Sequence, residues 1–152
     1  MKRIAALVIV FSLMSIVLTR PLFSQGAKVH RGGGGWGPAG NYARQYDIST
    51  VETITGEVTK VIHQAPLKGM SPGIHLIVKT NKEEIAVHLG PAWFIDNQET
   101  KITAKDQVEI RGSRINIDGK PAIVAAEVKK GDETLQLRND KGYPAWSGWR
   151  RR

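Results

Sequence analysis

The chain has 152 residues, with 22 basic and 14 acidic side chains, a net charge of +8 and no cysteine. The missing cysteine excludes disulfide staples, Cys-ligated zinc, thiol catalysis, a lipobox anchor and covalently attached haem. The length is enough for one hydrophobic core without such staples.

The first element is an export segment. Lys2 and Arg3 precede an almost unbroken apolar run over residues 4–18, shorter than the roughly 20 apolar residues that span a bilayer. Ser24 and Gly26 are the small residues of a cleavage site. Residues 1–26 therefore read as a signal peptide, and the expected location is periplasmic or secreted. No transmembrane span is expected after its removal; retention of the segment as an N-terminal anchor is the alternative. Lys2, Arg3 and Arg20 belong to this segment, and Arg150, Arg151 and Arg152 end the chain. The body is thus only mildly basic, and the precursor's charge is weak evidence for nucleic acid.

Residues 27–49 follow as a glycine-rich lead containing four consecutive glycines at 32–35. Glycine loses the most backbone entropy on ordering, so a flexible lead is expected. No Gly-Lys-Ser/Thr closes the run, so it is no phosphate loop.

Strand-like patterning then dominates. Residues 54–61 form the first strand, with Gly56 as a bulge or bend. Residues 64–72 hold two prolines and a glycine and read as a loop. Residues 73–80 and 83–89 form a hairpin about Asn81-Lys82. In that register Lys79 faces Glu84, Ile77 faces Ala86 and His75 faces His88. Ile74, Leu76, Val78, Ile85, Val87 and Leu89 make one apolar face, which holds the register because a one-residue slip would turn them all outward. Gly90-Pro91 ends the third strand and a short helix occupies residues 92–98, with Trp93 and Phe94 as core plugs. Residues 106–117 form a fourth strand whose apolar phase shifts near Gly112-Ser113, which requires a bulge. Asp118-Gly119 is a two-residue hairpin turn. Residues 121–128 form a fifth strand, and 134–137 can add a sixth.

The expected fold is mostly β: a five- to six-stranded OB-fold-like Greek-key barrel over residues 50–137, with one short helix between strands 3 and 4. A small sandwich is the structural alternative. Residues 138–152 form a Trp- and Arg-rich tail.

The sequence resembles the small exported bacterial OB-fold proteins over residues 50–152. The resemblance rests on GIHL at 73–76, VHLGPAWF at 87–94, VEIRGSR at 108–114, GKPA at 119–122 and GWR at 148–150. It implies the barrel and an envelope compartment, and it brings no catalytic residues to carry over.

The sharpest candidate site is the pair His75 and His88. Directly opposite residues have Cβ atoms about 4.5–5.5 Å apart, so two imidazoles could share a metal ion on the outer face of the hairpin. His63 or Met70 could supply a third ligand; His30 in the lead is a weaker one. Imidazoles suit copper, zinc or nickel, and a thioether would add a preference for copper. The plain alternative is two histidines on a half-exposed surface that bind nothing.

The tail suggests a second class of function. Trp146, Trp149, Arg150, Arg151 and Arg152 interleave aromatics with cations, which suits an anionic envelope surface or polymer, or a partner protein. Packing of Trp146 on the barrel is the competing expectation. Nucleic acid ranks third, because the outer face of the hairpin lacks the aromatic rings on which bases stack. Ser113 has no histidine at a spacing that suggests a triad. The chain therefore reads as a non-enzymatic binding module with a transition metal as its first candidate ligand.

Overall fold

A computed structural model describes residues 34–148 of the chain; the expected signal peptide at residues 1–26, His30, Trp149 and Arg150, Arg151 and Arg152 lie outside them. Six strands and a one-turn helix follow in the expected order: β1 (Val51–Gln64), β2 (Gly73–Lys79), β3 (Glu84–Pro91), α1 (Ala92–Ile95), β4 (Gln107–Ile117), β5 (Lys120–Lys130) and β6 (Glu133–Gln136). The sheet order is β3-β2-β1-β4-β5-β6, and a parallel pairing of β3 with β5 closes the first five strands into a barrel. The expectation of a mostly β, five- to six-stranded barrel with one short helix between strands 3 and 4 holds.

The β2–β3 register is the one the apolar face demands: His75 pairs with His88, Ile77 with Ala86, and Lys79 with Glu84. Ile74, Leu76, Val78, Ile85, Val87 and Leu89 are all buried, each contributing about 1.5–3 kcal/mol of burial. The turn closes by side-chain chemistry. Thr80 N donates to Glu83 O at 2.8 Å, and the Thr80 hydroxyl accepts from Lys82 N and Glu83 N. At the β4–β5 turn, Asp118 and Gly119 both take positive φ, 50° and 76°, as a primed two-residue turn requires.

The bulge expected near Gly112 is present as a register shift between Arg111 and Gly112. The bulge expected at Gly56 lies instead between Val58 and Lys60. Gly56 has another job: a Cβ there would run into the Lys79 carbonyl oxygen. At this point β1 passes from β4 to β2, with Glu57 paired to both Gln107 and Lys79.

Sequence and structure differ most at the two ends of the described chain. Trp36 and Tyr42 are 2% and 3% exposed, so residues 34–46 are packed against the barrel and are no free lead. The cause is specific seating. A Cβ on Gly73 would collide with the Trp36 indole, and the Trp36 Nε1–H donates to Ser71 O at 3.0 Å. Trp146 sits over Gly90 in the same manner, 2.6 Å from where a Cβ would stand. Its Nε1–H donates to Trp36 O at 2.8 Å. Two glycines at the paired ends of β2 and β3 thus leave room for two indoles on the outer surface. Residues 34–46 form a strap, and the segment after β6 returns to lock it.

That return starts at Arg138. Leu137 N and Arg138 N both donate to Ala126 O, the carbonyl of the β5 residue left out of register at the bulge. Asn139 Oδ1 then accepts from Lys141 N and Tyr143 N, and the turn points the chain back toward Trp146.

Candidate functional site

The outer face of β2–β3 is not uniform. Lys79 and Glu84 are exposed, whereas His75 and His88 at the other end are 8% and 6% exposed. The pair faces away from the core as the register requires, but it is not solvent-facing: the strap covers it. This corrects the expectation of a surface pair. The physical reason is the burial of Trp36, Tyr42 and Trp146, which had no apolar home within the strands.

The two imidazoles are stacked, with ring centres 4.0 Å apart and planes 11° from parallel. Tyr42 lies almost parallel to His88, 5.9 Å between ring centres, and its hydroxyl is 3.0 Å from His88 Nδ1. The phenol is the stronger acid of the two, so the hydroxyl donates and Nδ1 accepts. His75 Nε2 is buried and has no hydrogen-bond partner among the described residues, at a cost of about 1–3 kcal/mol.

Charge in this cluster is one-sided. Arg138 is 4% exposed. It donates through Nη1 to Leu89 O and Ala125 O and lies 4.8 Å from the Trp146 ring centre. Among the described residues no carboxylate pairs with it. Burial pulls its pKa down. Burial also lowers His75 to about 4, and burial, then His75 and Arg138, lower His88 to about 3. Tyr42 is pushed up by burial, against a smaller opposing pull from Arg138. At neutral pH the cluster holds two neutral imidazoles, a neutral phenol and one guanidinium.

The other candidates fall elsewhere. His63 pairs with Ile74 of the core face, whereas Ile62 pairs with His75, so strand alternation puts His63 on the other side from the pair. Met70 is partly buried and meets Gly35 of the strap. Among the described residues no three His, Cys, Asp or Glu side chains form a metal-holding group. Trp146 is 5% exposed and packs at 5.5 Å on Phe94 and 6.0 Å on Trp36, so it is a packing element and offers no surface anchor. Ser113 is fully buried; its hydroxyl accepts from Asp47 N and shares a hydrogen bond with Thr50, pinning the end of the strap.

Tyr42 and Arg138 are the site residues that strand periodicity missed. Tyr42 sits in a glycine-rich segment with no alternation, and Arg138 just after the last strand. The one local signal was the pair of glycines, Gly73 and Gly90, flanking the histidine pair.

No helix among the described residues is long and apolar enough to cross a membrane. No curated protein matches the chain. The description of the MamS/MamX magnetosome protein family fits residues 50–135, the barrel from its first strand through most of β6. By that match over more than half its length, this closed barrel with a strapped histidine pair belongs to the MamS/MamX magnetosome protein family.

Proposed function

We propose that the chain is a non-enzymatic binding barrel of the magnetosome, exported by residues 1–26, whose ligand is a transition-metal ion held by His75 and His88. The observation that carries this reading is a buried pair of imidazoles, paired in register, with one ring nitrogen that has no hydrogen-bond partner among the described residues. Metal ligation needs neutral imidazole, and burial keeps both rings neutral well below pH 7. Imidazole suits iron, zinc, copper and nickel, and the family's compartment makes iron the first ion to try. As stacked, the two rings direct their in-plane nitrogens along parallel planes. One ring must turn about its side-chain bonds for both to meet an ion, so binding is coupled to a local rearrangement. With two protein imidazoles the site exchanges its ion, which suits a carrier or sensor.

The test is calorimetric titration of the full-length chain with iron, zinc, copper and nickel, repeated on His75→Ala, His88→Ala and the double variant. A saturable site that weakens in each single variant and vanishes in the double one is expected. Equal binding by wild type and double variant disproves the metal reading and leaves the barrel as an interaction module.

A further inference from the structure

The strap places a third donor on the histidine pair. The Tyr42 hydroxyl is hydrogen bonded to His88 Nδ1 at 3.0 Å, so two imidazoles and a phenol from three different segments converge beside one buried guanidinium. That guanidinium is the difficulty for any cation. Arg138 is buried and has no carboxylate partner among the described residues, and its field reaches both His88 and Tyr42. An ion bound by two neutral imidazoles alone would add positive charge next to an uncompensated one, in surroundings where charge is poorly screened. An anionic ligand removes the conflict. Among the side chains stacked on or hydrogen bonded to the pair, Tyr42 is the one that can become an anion; burial holds it as the neutral phenol in the ion-free protein, with Arg138 opposing only in part, so the ion itself must displace the proton that the hydroxyl now shares with His88 Nδ1.

Resting on the metal reading above, we propose that Tyr42 is the third ligand, entering as phenolate to complete a set of two imidazole nitrogens and one hard oxygen that suits ferric iron. The phenolic proton leaves to solvent as the ion takes its place, and no electron changes hands. The strap is then part of the site. Residues 34–46 carry the ligand, Trp36 holds them to Ser71 O, and Trp146 holds Trp36.

The experiment uses the full-length chain, ferric nitrilotriacetate and zinc sulfate. Wild type with ferric iron should show the visible charge-transfer absorption of a phenolate–iron bond. Tyr42→Phe keeps the ring against His88 and Trp36 and removes the oxygen. It should lose the band and bind iron about tenfold or more weakly, with a smaller loss for zinc. The chain has three tyrosines, so Tyr46→Phe combined with Tyr143→Phe leaves Tyr42 as the sole phenol. The band should persist there, which keeps the assignment testable if Tyr42→Phe fails to fold. Iron binding that depends on His75 and His88 but shows no band overturns the role of Tyr42 and leaves the histidine reading intact. So does a band that survives Tyr42→Phe or disappears in the double variant. Loss of histidine dependence for both ions overturns both.

Discussion

Trp146 donates its indole N–H to the backbone carbonyl of Trp36 across 2.8 Å, joining residues 110 positions apart in a buried hydrogen bond. Each indole occupies a gap left by a glycine at the paired ends of β2 and β3. The two ends of the described chain therefore close over the barrel as one unit.

Removing that closure costs stability. Trp146→Ala empties a buried site and leaves the Trp36 carbonyl without its donor, so we expect a loss of about 3–5 kcal/mol. Trp146→Phe should lose less, because it keeps the contact with Phe94 and Arg138. Urea unfolding measures both; a change under about 0.5 kcal/mol for Trp146→Ala, the range of an ordinary surface substitution, would mean that the tail does not pack.

The seats can be filled from the other side. Gly73→Ala puts a methyl where the Trp36 ring lies, and Gly90→Ala does the same at Trp146. A methyl at Gly73 would also press on the Gly90 carbonyl oxygen of the paired strand, whereas at Gly90 the nearest atoms all belong to the Trp146 ring; Gly90→Ala is therefore the cleaner change, and in it the strap should lift before the strands separate. A red shift of tryptophan emission and faster proteolysis within residues 34–46, with unchanged far-ultraviolet circular dichroism, is the expected signature.

Acid should weaken the fold through the stacked imidazoles. His75 and His88 are held at about 4 and about 3, below their ordinary 6.5, so the unfolded chain binds protons that the folded chain refuses. Stability is highest above about pH 6.5 and falls as pH drops toward about 4, with a total on the order of a few kcal/mol. Tyr42 and Arg138 face the pair; neither supplies a negative charge that would favour the imidazolium. Unfolding curves between pH 7.5 and 4 check this. Replacing both residues, as His75→Leu with His88→Leu, should flatten the profile over that range.

Arg138 tests the same cluster through its charge. Arg138→Met removes the donors to Leu89 O and Ala125 O, leaving buried carbonyls unmet, and should cost about 1–3 kcal/mol. It also removes one of the causes that depress His88, so the His88 titration, followed by NMR, should move up toward 6.5. An unchanged titration would place the guanidinium too far away to matter.

Arg114 gives the contrast. It bridges Glu52 at 2.7 Å and Glu83 at 2.5 Å, with all three side chains about one-third exposed. Solvent screening limits such pairs to about 1 kcal/mol or less, so Arg114→Ala should change the unfolding free energy far less than Trp146→Ala.

The strands, their order and the β2–β3 register were legible in the sequence. Period-two alternation of Ile74, Leu76 and Val78 against Ile85, Val87 and Leu89 allows one inward face, and that face sets His75 opposite His88. Turn chemistry at Asp118-Gly119 and the phase shift near Gly112 were equally local. Whether the histidine pair meets water was a different kind of fact. It depends on Trp36, Tyr42, Arg138 and Trp146, which lie in segments without periodicity and reach the hairpin only by crossing the folded barrel. Burying three large rings repays the entropy of ordering a glycine-rich strap, and that balance exists only once the barrel supplies glycine-lined seats for them. Alternation along the chain determines which face a side chain takes; tertiary packing alone decided what covers that face, and so turned an expected surface pair into a buried, neutral and strapped one.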